Sequence, residues 1–227
     1  MSLYHCMKEF AQITGVSPAE DLPHPELGQS LSLLHSCLLE AGLDQEESPA
    51  GPVCAAGPEA LQANHLSRFV VAFLPFNSIT GKEETNLILF QVYAFLRWLD
   101  KRDIAHGWNT LDYSAQVRSL TADQARCLQV SHWLDDETGR VLDDPPQIVQ
   151  TVSDLFRVLQ KEGEFLILQG LRNPDPLRLR LPGNLLQLIR PFDHLDLVLG
   201  DTSERWVLLE AGQVFPDIET PVSSSRP

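Results

Sequence analysis

The chain has 227 residues, 43% of them hydrophobic, with 31 acidic against 17 basic side chains and a formal net charge of −14 at pH 7. That length buries a real core in one domain or two, and the longest apolar runs (69–76 and 87–90) fall far short of the roughly 20 residues of a membrane span. A field this acidic repels polyanions, so nucleic acid and anionic membrane are disfavoured as partners and a basic protein is favoured.

Met1-Ser2-Leu3-Tyr4-His5-Cys6-Met7-Lys8-Glu9 lacks the basic and apolar regions of a secretory signal, so a bacterial cytoplasmic setting is expected. Leu3, Met7, Phe10, Ala11 and Ile13 fall near helical spacing, with Ser2 as N-cap and Gly15 as stop. After the proline-rich break at 21–25, Leu27, Leu31, Leu34, Leu38 and Ala41 form a second stripe that Gly42 ends. Residues 1–60 hold nine acidic side chains against one basic, and the segment 44–57 has almost no bulky apolar residue. A flexible linker is expected there.

Pro58 suits the first turn of a third helix, with Leu61, His65, Phe69 and Phe73 on its apolar face and Pro75 as its stop. A longer helix is predicted over 82–101. It is apolar almost all round, in Leu87, Phe90, Val92, Tyr93, Phe95 and Trp98, which places it at the centre of a bundle. Two shorter helices are expected at 111–119 and 121–134, the second opened by a Thr121 to Gln124 capping box, and then an acidic turn around Gly139. Asp144 as N-cap, Pro145 at the first helical position and Gln147 closing a box predict one more helix, running to Glu162.

From Glu164 the apolar period changes to two. Residues 165–168, 177–181, 185–189, 195–199 and 205–209 read as five short strands, enough for a small closed sheet without exposed edges. The expected fold class is α+β, a helical N-terminal and central bundle followed by a small C-terminal β-barrel-like module. The expected parts are an acidic helical hairpin at 1–43, a linker at 44–57, a bundle at 58–162, an antiparallel β module at 163–219 and a tail at 220–227.

Motifs that carry chemistry are scarce. Cys6, Cys37, Cys54 and Cys127 are scattered without a C-x-x-C pair and are expected as reduced thiols. Gly81-Lys82 lacks the upstream glycine of a phosphate loop, and neither G-x-G-x-x-G nor G-x-S-x-G occurs, so no cofactor and no nucleophile are assigned. His65-x-x-Arg68 and Phe95-Leu96-Arg97-Trp98-Leu99 resemble phrases of the tyrosine recombinases, but in the reverse order, so no role is carried across.

Two constellations remain. His132, Asp135, Asp136, Glu137, Asp143 and Asp144 offer oxygen and imidazole ligands for a metal-assisted hydrolase, although turn and cap roles account for them as well. On the β module, Arg178 and Arg180 must share one strand face. With Arg190 and Trp206 they form a candidate surface for RNA or an anionic ligand. A solvated face explains the same arginines, so the expected function is non-enzymatic protein binding or a structural role.

Overall fold

The computed structural model describes residues 1–49, 51–77, 79 and 81–217; the tail expected from 220 lies outside them. The architecture is mixed α+β, and the described residues divide into two compact units, one up to Thr121 and one from Ala122 onward.

The first unit is helical. Helix α1 (Leu3–Thr14) begins at Ser2, whose hydroxyl accepts from His5 N, and ends at Gly15 in the left-handed conformation. Helix α2 (Gly28–Glu40) buries Leu31, Leu34, Cys37 and Leu38. The segment expected as a linker is instead a two-stranded antiparallel hairpin of β1 (Gln45–Ser48) and β2 (Gly51–Cys54). Val53 and Cys54 are buried. Two small apolar residues suffice to anchor a short strand, and composition alone does not reveal this.

Pro58 opens a 3-10 turn (Pro58–Ala60), and helix α3 (Ala63–Arg68) starts five residues later. A π-helical turn (Phe69–Phe73) and a last α turn (Leu74–Phe76) continue it. Pro75, which has no N–H to donate and crowds the preceding turn, stands just beyond that irregularity. Helix α4 (Lys82–Lys101) buries Ile88, Leu89, Val92, Phe95, Leu96 and Leu99. It is not enclosed on all sides, because Leu87 and Phe90 are exposed.

Helix α5 (Tyr113–Asp143) is continuous, in place of the two helices and the acidic turn that were expected. Thr121 is no N-cap: its hydroxyl donates back to Val117 O at 2.8 Å. The stripe Leu120, Gln124, Cys127, Val130, Leu134 and Thr138 is buried throughout, and this tertiary burial overrides the local capping signals.

In the second unit the largest correction falls on 144–162. The expected helix is a strand, β3 (Gln150–Glu162), and Asp144 is an exposed bend residue rather than a cap. Asp154, Phe156 and Val158 are its buried positions, so the true period is two. A carboxylate at an inward position disguised the alternation. Leu159 was also brought out of phase, at a register shift between Val158 and Gln160. The other strands are β4 (Phe165–Gly170), β5 (Leu177–Arg180), β6 (His194–Asp201) and β7 (Trp206–Phe215).

Residues 185–189 are not a strand. Short helix α6 (Gly183–Leu188) occupies this stretch, and Leu185, Leu186 and Ile189 are buried at the i, i+1, i+4 spacing of one helical face. The strands pair in the order β3-β4-β5-β7-β6, with β3 also paired to β6, so the ladder returns on itself. Its seam is a single parallel pair, Leu179 with Trp206. Cys127, Val130 and Leu134 of α5 share the core of this sheet with Phe156, Leu166 and Leu197.

Candidate functional site

In the first unit α4 and the start of α5 build an apolar groove. Tyr93 and Tyr113 stack with ring centroids 4.9 Å apart and planes at 23°. The Tyr113 hydroxyl donates to Leu89 O at 2.8 Å, and burial pushes its pKa above the ordinary tyrosine range. These fixed rings, with Asn86, Phe90, Val117 and Arg118, line a cavity of about 420 Å³. Phe90 is 67% exposed and Leu87 is 58% exposed. Leu87, Phe90 and Tyr93 follow one another at i, i+3 spacing, so they run along one side of α4. Lone exposed apolar residues are ordinary, but an aligned group beside a groove is the pattern of an interaction surface.

The second unit holds the arginines singled out from the sequence. Arg178 and Arg180 do share the outer face of β5, with Leu177 and Leu179 buried on the other. Arg178 lies 3.4 Å from Glu162 and stacks over Phe165 at 4.7 Å. Arg180 donates twice to Glu164, at 3.0 and 2.6 Å. Arg190, at the end of the short helix, donates to Asp123 at 2.6 Å. A phosphate would have to displace a carboxylate at each of the three.

Arg180 and Trp206 meet at the sheet's seam, where they line a cavity of about 330 Å³ with Arg205, Glu137 and Glu164. Arg178 and Arg190 do not line it. Arg205 had no sequence signal, since a lone arginine at the start of an expected strand is common; it lies just before β7. Its basic charge beside Trp206 becomes meaningful only through the pairing that sets β7 against β5.

His132, Asp135, Asp136, Glu137 and Asp143 are all borne by α5, and Asp144 lies just past its end. Glu137 is taken up by Arg140 at 2.8 Å. Among the described residues, no group of three or more His, Cys, Asp or Glu side chains is arranged to hold a metal ion. The four cysteines are free and buried. Burial pushes the Cys37 and Cys127 thiols up to about 12, away from the thiolate a nucleophile needs. His65, buried and with its pKa lowered by burial and by Arg68, accepts from Gln62 N at 3.1 Å. That bond belongs to the capping of α3.

No protein-family model, curated protein or solved structure matches the chain. Among the described residues no helix is long and apolar enough to cross a membrane.

Proposed function

We propose that the chain is a non-enzymatic protein-binding protein whose contact surface is the α4 groove. The observation that carries this reading is the exposed pair Leu87 and Phe90, in line with the half-buried Tyr93, beside a cavity with rigid aromatic walls. Burying a phenylalanine side chain contributes about 1.5–3 kcal/mol, and a preformed groove orders few side chains on binding. The partner inserts one apolar anchor and carries basic residues around it, since the chain's net charge is −14. The test is to replace Leu87 and Phe90 with Glu, which leaves the buried face of α4 untouched. Retention of a partner should be lost while the denaturation midpoint stays within the wild-type range.

A second reading, an anionic ligand with a flat ring, rests on Arg205 and Trp206 in the seam cavity. RNA is the less favoured form of it, because Arg178, Arg180 and Arg190 each already hold a carboxylate. Binding of such a ligand should weaken with salt. The hydrolase reading gains no support from the placement of its residues along α5.

A further inference from the structure

The β1–β2 hairpin is fastened to the first unit through two buried histidines. Its register pairs Glu46 with Val53 and Ser48 with Gly51, while Ala55 N donates to Asp44 O at 2.7 Å. In an antiparallel ladder these alternate positions face the partner strand, so the polar groups of Pro52 and Cys54 point outward. Proline suits that edge, having no N–H to satisfy. The outward groups meet imidazoles: His24 Nε2 donates to Pro52 O at 3.0 Å, and Cys54 N donates to His35 Nε2 at 3.0 Å. His24 is 1% and His35 0% exposed. Their rings pack edge to face, with centroids 4.7 Å apart.

The two bonds require opposite proton placements. A carbonyl can only accept, so His24 carries its proton on Nε2; an amide can only donate, so Nε2 of His35 must be bare and its proton sits on Nδ1. That Nδ1 has no hydrogen-bond partner among the described residues. A second proton on His35 would therefore set N–H against N–H at Cys54 and place a cation in a buried site. We propose that His35 is an acid-operated latch, holding the hairpin to α2 while neutral and releasing the edge of β2 when protonated.

The charged and titratable groups around it come from three sides. From α1 come Tyr4, whose ring centroid lies 5.5 Å from that of His35, and Lys8, 6.0 Å over the Tyr4 ring. From the turn before α2 come His24 and Glu26, which accepts from the Tyr4 hydroxyl and lies 3.8 Å from His24. The hairpin brings Cys54 and, further off, Asp44. Burial, reinforced by His24 and only partly opposed by Glu26, pushes His35 down to about 4. The neutral form is thus the one the closed hairpin holds at neutral pH, and an open hairpin restores an ordinary imidazole.

Hydrogen exchange of the full chain, corrected for intrinsic rates, tests the latch at pH 7.5 and pH 4.5. The linkage between an ordinary imidazole and one held near 4 implies that opening rises roughly 50- to 100-fold between those conditions. The rise should be seen at the amides of Glu46, Val53 and Cys54, through an opening smaller than the one that exposes the core of α4, so that these amides are less protected than that core at both pH values. In His35→Gln, whose amide oxygen accepts from Cys54 N without titrating, the hairpin's protection should not depend on pH. Hairpin amides as well protected as the core of α4, or a pH dependence kept by His35→Gln, would overturn the proposal. Should that variant fail to fold, the wild-type imidazole decides by nitrogen NMR. Protonated Nδ1 with accepting Nε2 at neutral pH supports the latch, and the opposite tautomer refutes it.

Discussion

Asp193→Ala should cost the second unit about 3–5 kcal/mol, the usual loss when one partner of a buried ion pair is removed. Asp193 is 1% exposed. Its two oxygens accept from Arg126 at 2.6 and 2.9 Å, and one of them also accepts from Arg190 N at 2.7 Å. Arg126 itself, only 9% exposed at its side chain, donates further to Leu188 O at 3.0 Å. The substitution would leave a guanidinium without its main counter-charge and an amide without an acceptor. It would also loosen the turn whose Phe192 N and Asp193 O bond β3 at Val158, at 2.7 and 2.8 Å. Urea titration followed by hydrogen exchange of β3 and β6 reads the unit concerned. The double change Arg126→Met with Asp193→Leu removes both charges and should cost less than Asp193→Ala alone. A single-variant loss below about 1 kcal/mol, or a double variant worse than the single, would refute this reasoning.

Three further outcomes follow from particular contacts. Gly107→Ala should destabilise the first unit by about 1–3 kcal/mol, the range for overpacking, because its new Cβ would stand 1.9 Å from Leu61 O, a backbone atom with little room to yield; an unchanged thermal midpoint would contradict it. Since folding lowers His35 to about 4, the first unit's stability should be full above pH 6.5 and fall by about 3 kcal/mol as pH drops towards 4. Glu26, held low by the Tyr4 hydroxyl and by His24 against the opposing effect of burial, adds a loss of the same sign only below pH 4.5; denaturation midpoints that stay flat between pH 7 and pH 4.5 would contradict the His35 effect. Arg178→Ser and Arg180→Ser should each shift stability by no more than about 0.5 kcal/mol, since their pairs with Glu162 and Glu164 are exposed; a larger drop in urea midpoint would show that the outer face of β5 is held by them.

Where local chemistry and tertiary burial agree, the sequence is readable. Ser2 and Gly15 bound a helix they can cap by themselves, and Leu177-Arg178-Leu179-Arg180 alternates because one face of β5 is core. Where they compete, burial and pairing decide. Asp144, Pro145 and Gln147 form a good helix start, yet residues 150–162 join two neighbouring strands along their length and leave those caps unused. Thr121 and Gln124 likewise lie inside α5. The groove was legible only in part: apolar residues all round α4 are visible in the sequence, but whether the outer ones are enclosed depends on which elements pack against them. The histidine pair at β2 had no pattern to find, since His24, His35 and Cys54 come together only once the hairpin forms.

The most direct measurement of the binding proposal is a quantitative pull-down from the source cell's lysate with wild-type chain and the Leu87→Glu, Phe90→Glu variant as parallel baits. Equal denaturation midpoints must first establish that the baits are equally folded. A groove anchor worth about 1.5–3 kcal/mol changes affinity by roughly 10- to 150-fold. At least one protein enriched on the wild type should therefore fall to background on the variant, and its retention should weaken with salt if basic residues surround the anchor. Identical enrichment on both baits would contradict the account, because the exposed row on α4 would then bind nothing.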